Sequence, residues 1–165
     1  MLKGIKIKIY PNNEQTNYLN CLLGCTRLVY NTALDWKKSA YETNKTNISS
    51  TELSHKITEL KNDKIFLREV HSKVLQQALM DLNNAFNNFF RNVKQGKTPG
   101  YPQFKKKNMH KDSCRFPIDA FIGICGNRIS LIKKLNDILF KCSKRDERYL
   151  NKKQKYVHSV TVSKT

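Results

Sequence analysis

The chain has 165 residues and sets 31 Lys and Arg against 13 Asp and Glu, a formal charge of +18, with 39% hydrophobic and 10% aromatic residues. That apolar content excludes a disordered polyelectrolyte, and the length suits one domain with a real core or two small lobes sharing one. A charge so far from zero exceeds what solubility requires and implies a polyanionic partner, and no apolar run reaches the roughly 20 residues of a spanning helix.

Leu2 to Tyr10 alternates, with Ile5, Ile7 and Ile9 on one side and Lys6 and Lys8 on the other, which predicts a half-buried strand with a basic outer face. The same stretch lacks the apolar centre and cleavage site of a signal peptide, so the expected location is cytoplasmic. Pro11 ends the strand, and Asn12 with Gln15 forms a capping box for a first helix over Glu14–Glu42, carried by Leu19, Leu22, Leu23, Val29, Tyr30, Ala33, Leu34, Ala40 and Tyr41. Gly24 inside it marks a close contact or a bend. Ser49 and Glu52 form a second capping box, with Ile48 and Leu53 as a hydrophobic staple, and a short helix to about Lys61 follows.

Ser72 is placed to cap a third helix whose stripe is Leu75, Ala78, Leu79, Leu82, Ala85, Phe86, Phe89, Phe90 and Val93, the expected helical core. From Lys94 to Lys111 there is no acidic residue, and Gly96, Pro99, Gly100 and Pro102 rule out a helix. Beyond Pro117 the texture turns to β. Phe121, Ile122 and Ile124, the turn Gly126-Asn127, and Arg128, Ile129 and Leu131 predict a hairpin, followed by an apolar run Ile138–Phe140, a basic segment Lys141–Lys155 and a strand Tyr156–Ser163.

Tyr101, Phe104 and Phe116 interleave with Lys105, Lys106, Lys107, Lys111 and Arg115, a mixture that offers flat faces for bases and cations for phosphates. The same mixture also suits a solvated basic loop. Catalytic signals are absent from the pattern: Asp35, Glu59 and Asp81 are dispersed on helix faces, and His55, His71, His110 and His158 belong to no nucleophile signature. Cys21, Cys25, Cys114, Cys125 and Cys142 form neither a disulfide framework nor a metal-ligand spacing and read as packing residues. No metal or nucleotide cofactor is expected.

Several ordered motifs resemble the N-terminal half of the TnpB (OrfB) family. They are Lys-Ile-Lys-Ile-Tyr-Pro-Asn-Asn-Glu-Gln ending at Gln15, Gly-Cys-Thr-Arg-Leu-Val-Tyr-Asn ending at Asn31, Leu75–Leu79, Asn88–Arg91, Tyr101–Lys107, Ser113–Pro117, Gly126–Ile129 and Val160–Thr165. The resemblance implies an accessory protein of an insertion sequence, related to RNA-guided DNA endonucleases, of α+β class. Its OB-like β-barrel, the wedge, would have a helical recognition lobe inserted after the first strand. The implied division is 1–10 as the first wedge strand, 11–100 as the recognition lobe with a helix-turn-helix at its start, and 101–165 as the remaining wedge strands and basic loops.

The family's RuvC-like nuclease and zinc ribbon have no counterparts among these motifs, so the resemblance implies binding of guide RNA and DNA without cleavage, any nuclease half being separately encoded. Carried over by position, Ser50, Ser72 and Gln76 would read the motif flanking the DNA target, Gln76 by a bidentate bond to an adenine edge. Arg27, Lys105, Lys106, Lys107, Lys111 and Arg115 would contact phosphates, beside Tyr101 and Phe104. A stand-alone helix-turn-helix regulator and an inactive remnant of a decayed gene stand as alternatives. No membrane partner is expected.

Overall fold

In a computed structural model, the residues described are 4–107, 112–120, 123–153 and 157–164. The chain begins with β1 (Lys8–Tyr10), then α1 (Asn13–Asn44), α2 (Ser50–Asp63) and α3 (Ser72–Lys94). After the proline-bearing segment come β2 (Ser113–Pro117), β3 (Gly123–Cys125), β4 (Arg128–Ser130), β5 (Ile138–Lys141), α4 (Lys144–Lys153) and β6 (Ser159–Ser163). The class is α+β. Among the described residues the strands form a four-stranded antiparallel sheet in the order β1-β5-β4-β3 and a two-stranded sheet of β2 and β6, with no closed barrel.

The chain divides into two compact units, one of residues 1–20 and 116–161 and one of residues 21–115 and 162–165. In the first, β1 pairs with β5 although the three long helices lie between them in sequence. Ile124, Ile129, Ile138 and Phe140 occupy the buried positions of β3, β4 and β5, one face of the sheet, as period-2 alternation requires. The hairpin forms where expected, closed by the two-residue turn Gly126-Asn127, with Gly126 in the left-handed region at φ 57°. Residues 121 and 122, which the alternation assigned to its first strand, lie outside the described residues, as does Tyr156 of the last strand. The regular part of the first strand is shorter than its alternation: only Lys8–Tyr10 is a strand, although the in-out pattern runs from residue 5 to residue 10.

In the second unit, Leu22, Val29, Ala33 and Leu34 of α1 and Val74, Leu75, Ala78, Leu79 and Leu82 of α3 are buried with Leu53 and Ile57 of α2. Both capping boxes form: Asn12 and Gln15 bond reciprocally at 3.0 and 2.8 Å, and Ser49 and Glu52 at 2.7 and 3.2 Å. The two backbone and hydroxyl donations from Ser49 hold the Glu52 carboxyl below its ordinary pKa. Ser72 is the first helical residue of α3 and not its cap; His71 takes the cap position without a side-chain bond. Gly24 is neither bend nor close contact, since a Cβ there would meet nothing within 4 Å in an unbroken helix. The far end of the α3 stripe is also not core: Phe90 is 54% exposed, and Phe86 and Phe89 meet Tyr101 edge-on at 5.6 and 5.3 Å.

The basic run after β5 folds as α4, which the sequence reading missed. Its start was marked by Ser143, whose hydroxyl accepts the Asp146 N–H at 3.1 Å and donates to the Asp146 carboxylate at 2.8 Å. One turn from the end of α4, the Asn151 amide both donates to the Gly126 carbonyl and accepts from its N–H, each at 2.9 Å, fastening the hairpin turn.

All five cysteines are free. Burial pushes the thiol pKa of Cys25 and Cys114 up to about 12, with Cys21 adding to the effect at Cys25. An unfolded cysteine ionises near about 8.5, so folding holds two protons that the unfolded chain releases, and stability is expected to fall as pH rises from about 9 towards 12. At pH 8 an alkylating reagent should label the exposed Cys21 and Cys125 in the folded protein and reach Cys25 and Cys114 only on unfolding, as mass spectrometry of the labelled chain would read.

Candidate nucleic-acid interface

The segment Tyr101–Lys107 lies on α1, fastened by one side chain. Asn31 donates its amide to the Lys105 carbonyl at 2.9 Å and accepts the Lys105 N–H at 2.8 Å, so it satisfies the backbone as a neighbouring strand would. One turn of backbone is thereby fixed without regular structure. The Lys105 ammonium sits 4.2 Å from the centroid of the buried Tyr30 ring, and burial lowers its pKa against the opposing pull of Asp81 and Asp112. Lys105 is therefore an anchor in this structure, while Lys106 and Lys107 are exposed. Phe104 and Tyr101 are each 40% exposed, and burial raises the Tyr101 phenol, helped by Glu42.

Beside this anchor a cavity of about 210 Å³ is lined by Leu23, Arg27, Tyr30, Gln103, Lys105, Asp112 and Ser113. Arg27 pairs with Asp112 at 2.6 Å, both side chains about one-fifth exposed, and Arg115 pairs with Asp81 of α3. These two arginines are held by carboxylates, so each phosphate contact expected of them competes with an internal ion pair. Phe116, offered by the sequence as a ring for bases, is fully buried and serves packing instead. Lys111 lies outside the described residues.

A second group lies on α2 and α3. Ser50 accepts the Asn83 amide at 2.7 Å, and Ser72 accepts the Lys61 ammonium at 3.4 Å. Gln76, four residues after Ser72 and on the same helix face, is exposed. The structure thus ties Ser50 to α3 through Asn83; no spacing signal announced that bond. Lys37 was also missed. It is 9% exposed, donates to Asn47 Oδ1 at 2.9 Å and to the Ile48 carbonyl at 2.5 Å, and sits 5.4 Å from the Phe86 ring, securing the turn that leads into α2.

Among the described residues no group of three His, Cys, Asp or Glu could hold a metal ion, and no helix is long and apolar enough to cross a membrane.

Removing the Asn31 amide tests whether the segment depends on it. Asn31→Ala leaves the Lys105 N–H and carbonyl without partners, and a loss of about 1–3 kcal/mol is expected for unsatisfied part-buried groups. Protease cleavage after Lys106 or Lys107 should accelerate in that variant while α1 helicity stays unchanged; unchanged cleavage would show that the segment is held by other contacts.

Comparison with known proteins bears on what this arrangement serves. A helix-turn-helix domain of the OrfB type, from IS605-like elements, matches residues 1–46. A putative RNA-guided DNA endonuclease of Streptomyces pristinaespiralis is 36% identical over 121 residues, 72% of this chain and 29% of the relative. The putative RNA-guided DNA endonuclease InsQ of Escherichia coli K12 is 30% identical over 134 residues, 80% of this chain and 32% of the relative. The virulence protein VsdF of Salmonella dublin is 31% identical over 117 residues, 66% of this chain and 96% of the relative. The chain belongs to the TnpB (OrfB) family. The matched parts of the chain span about three-tenths of the length of the two endonuclease relatives. In this TnpB-family chain the matched residues 1–46 hold β1 and the continuous helix α1, with α2 following after it.

Proposed function

We propose that these 165 residues are the nucleic-acid-holding part of a TnpB-like transposon protein, binding guide RNA and target DNA and making no cut by themselves. The observation that carries the reading is the basic segment clasped by Asn31, which fixes its backbone and leaves Lys106 and Lys107 facing solvent in a stretch free of acidic residues. Fixed backbone lowers the ordering cost of binding a strand, and exposed lysines supply the counterion release that drives it. In this proposal Lys106, Lys107, Tyr101 and Phe104 meet the strand, with Lys111 adjoining them, and Arg27, Lys105 and Arg115 position the segment. Gln76, with Ser50 and Ser72 beside it, reads base edges flanking the target.

The antiparallel sheet β1-β5-β4-β3, entered by β1 before the helices and completed after them, supports assignment of residues 1–10 and 101–165 to an OB-like wedge and of 11–100 to a recognition lobe. The protein works in the cytoplasm in this account. A stand-alone helix-turn-helix regulator, with α1 and α2 as its two helices, is the second reading, favoured by the helix-turn-helix match over residues 1–46.

The test is purification of the tagged chain from its native cell with sequencing of the bound RNA, followed by incubation of that complex with target DNA and magnesium. A discrete transcript and intact DNA are expected. Random RNA would overturn the guide-RNA reading, and metal-dependent cutting would overturn the absence of cleavage.

A further inference from the structure

The register of the four-stranded sheet sets two lysines directly against each other. Lys8 of β1 is the cross-strand partner of Lys141 of β5, and both are exposed. Tyr10, two residues on from Lys8 and therefore on the same face, is 40% exposed, with the Lys8 and Lys141 ammonium groups 5.3 and 5.4 Å from its ring centroid. Like charges facing each other across a ladder destabilise a sheet, and one aromatic ring offsets only part of that repulsion. The same face continues through Leu139, the partner of Tyr10, to Arg128, whose guanidinium is bound 2.9 Å from the Asp137 carboxylate. Asp137 on this face is thus already paired with Arg128. The opposite face carries the buried Ile129, Ile138 and Phe140, so these cations cannot turn inward.

From this juxtaposition we infer that Lys8, Tyr10 and Lys141 form a phosphodiester site for a polynucleotide strand, separate from the segment around Lys106. A phosphate between the two ammonium groups removes their repulsion, and the exposed Tyr10 ring lies beside it to meet a sugar or base. The inference rests on the nucleic-acid reading above and adds a second contact point to it, on a sheet face in the first unit.

The experiment pairs stability with binding. Lys141→Gln should raise the melting temperature of the free protein by about 1–3 °C, because one of two facing charges is gone. The same variant should bind a single-stranded RNA oligonucleotide about 5-fold more weakly at 0.1 M salt, from loss of one phosphate contact with a slope near 0.7. Lys141→Arg should keep both the affinity and the lower melting temperature. A Lys141→Gln variant that melts lower than the parent, or that binds as well as the parent, overturns the site. If inorganic phosphate at millimolar concentration stabilises the parent as much as the oligonucleotide does, the site is one for free phosphate and the polynucleotide assignment fails. Failure here is separable from failure of the proposed function: a parent chain that binds no RNA refutes the latter, whereas a parent that binds and loses affinity only through Lys106 and Lys107 refutes this site alone.

Discussion

Replacing Lys106 and Lys107 together by glutamate is expected to weaken duplex binding by at least roughly 60-fold at 0.1 M salt, from two lost phosphate contacts at about 0.9 each in the log–log slope. Both side chains are exposed, and the backbone that carries them is held by Asn31, so the fold should survive the change. The slope of log affinity against log salt should fall by about 1.8 in parallel. An affinity loss with an unchanged slope would mean that the variant misfolds locally instead of losing counterion release. Lys105→Glu is a different experiment. Its ammonium packs on Tyr30 and is part-buried, so a carboxylate there is expected to detach the segment and raise protease sensitivity before it reports on binding.

Phe116→Ala is expected to cost about 3–5 kcal/mol, the usual range for a large aromatic deleted from a core. Its side chain is fully buried on β2, and for a chain of this length the melting temperature should drop by about 6–20 °C. Phe104→Ala removes a ring that is 40% exposed, so stability should stay within about 1 kcal/mol while affinity for base-bearing strands falls. Chemical denaturation of the two variants side by side separates them. Equal destabilisation would show that Phe104 belongs to the core; equal loss of binding with intact stability would return Phe116 to the interface.

Those two rings, twelve residues apart in one basic stretch, show what a sequence can and cannot say. Alternation, periodicity and capping are local, and they located α1, α2, α3, the 126–127 hairpin and the buried leucines because each depends on residues within a turn or a strand. Burial of Phe116 depends on what packs over β2, and no neighbour in the sequence carries that information. The same holds for charge. Arg27 and Arg115 read as free cations until Asp112 and Asp81, 85 and 34 residues away, are brought against them. The stripe of α3 predicted core along its whole length, yet only its first half, Val74 to Leu82, is buried, leaving Phe90 and Val93 largely exposed. Ser143 and Asp146 carry a local capping signal for α4, obscured in the sequence by the high charge around it.

The pairing of β1 with β5 sets an order of events during synthesis. Residues 8–10 leave the ribosome well before the strand they bond to, Ile138–Lys141, which is made about 130 residues later. Closing so long a loop carries an entropic cost that local helix contacts do not, and the three helices are complete while β1 still lacks its neighbour. At about 5–20 residues per second, translation leaves that basic, aromatic strand end unpaired for roughly 6–26 seconds. Lys6 and Lys8 discourage edge-to-edge association through that interval, so the charge that Lys8 brings to the facing pair in the finished sheet first guards the nascent strand.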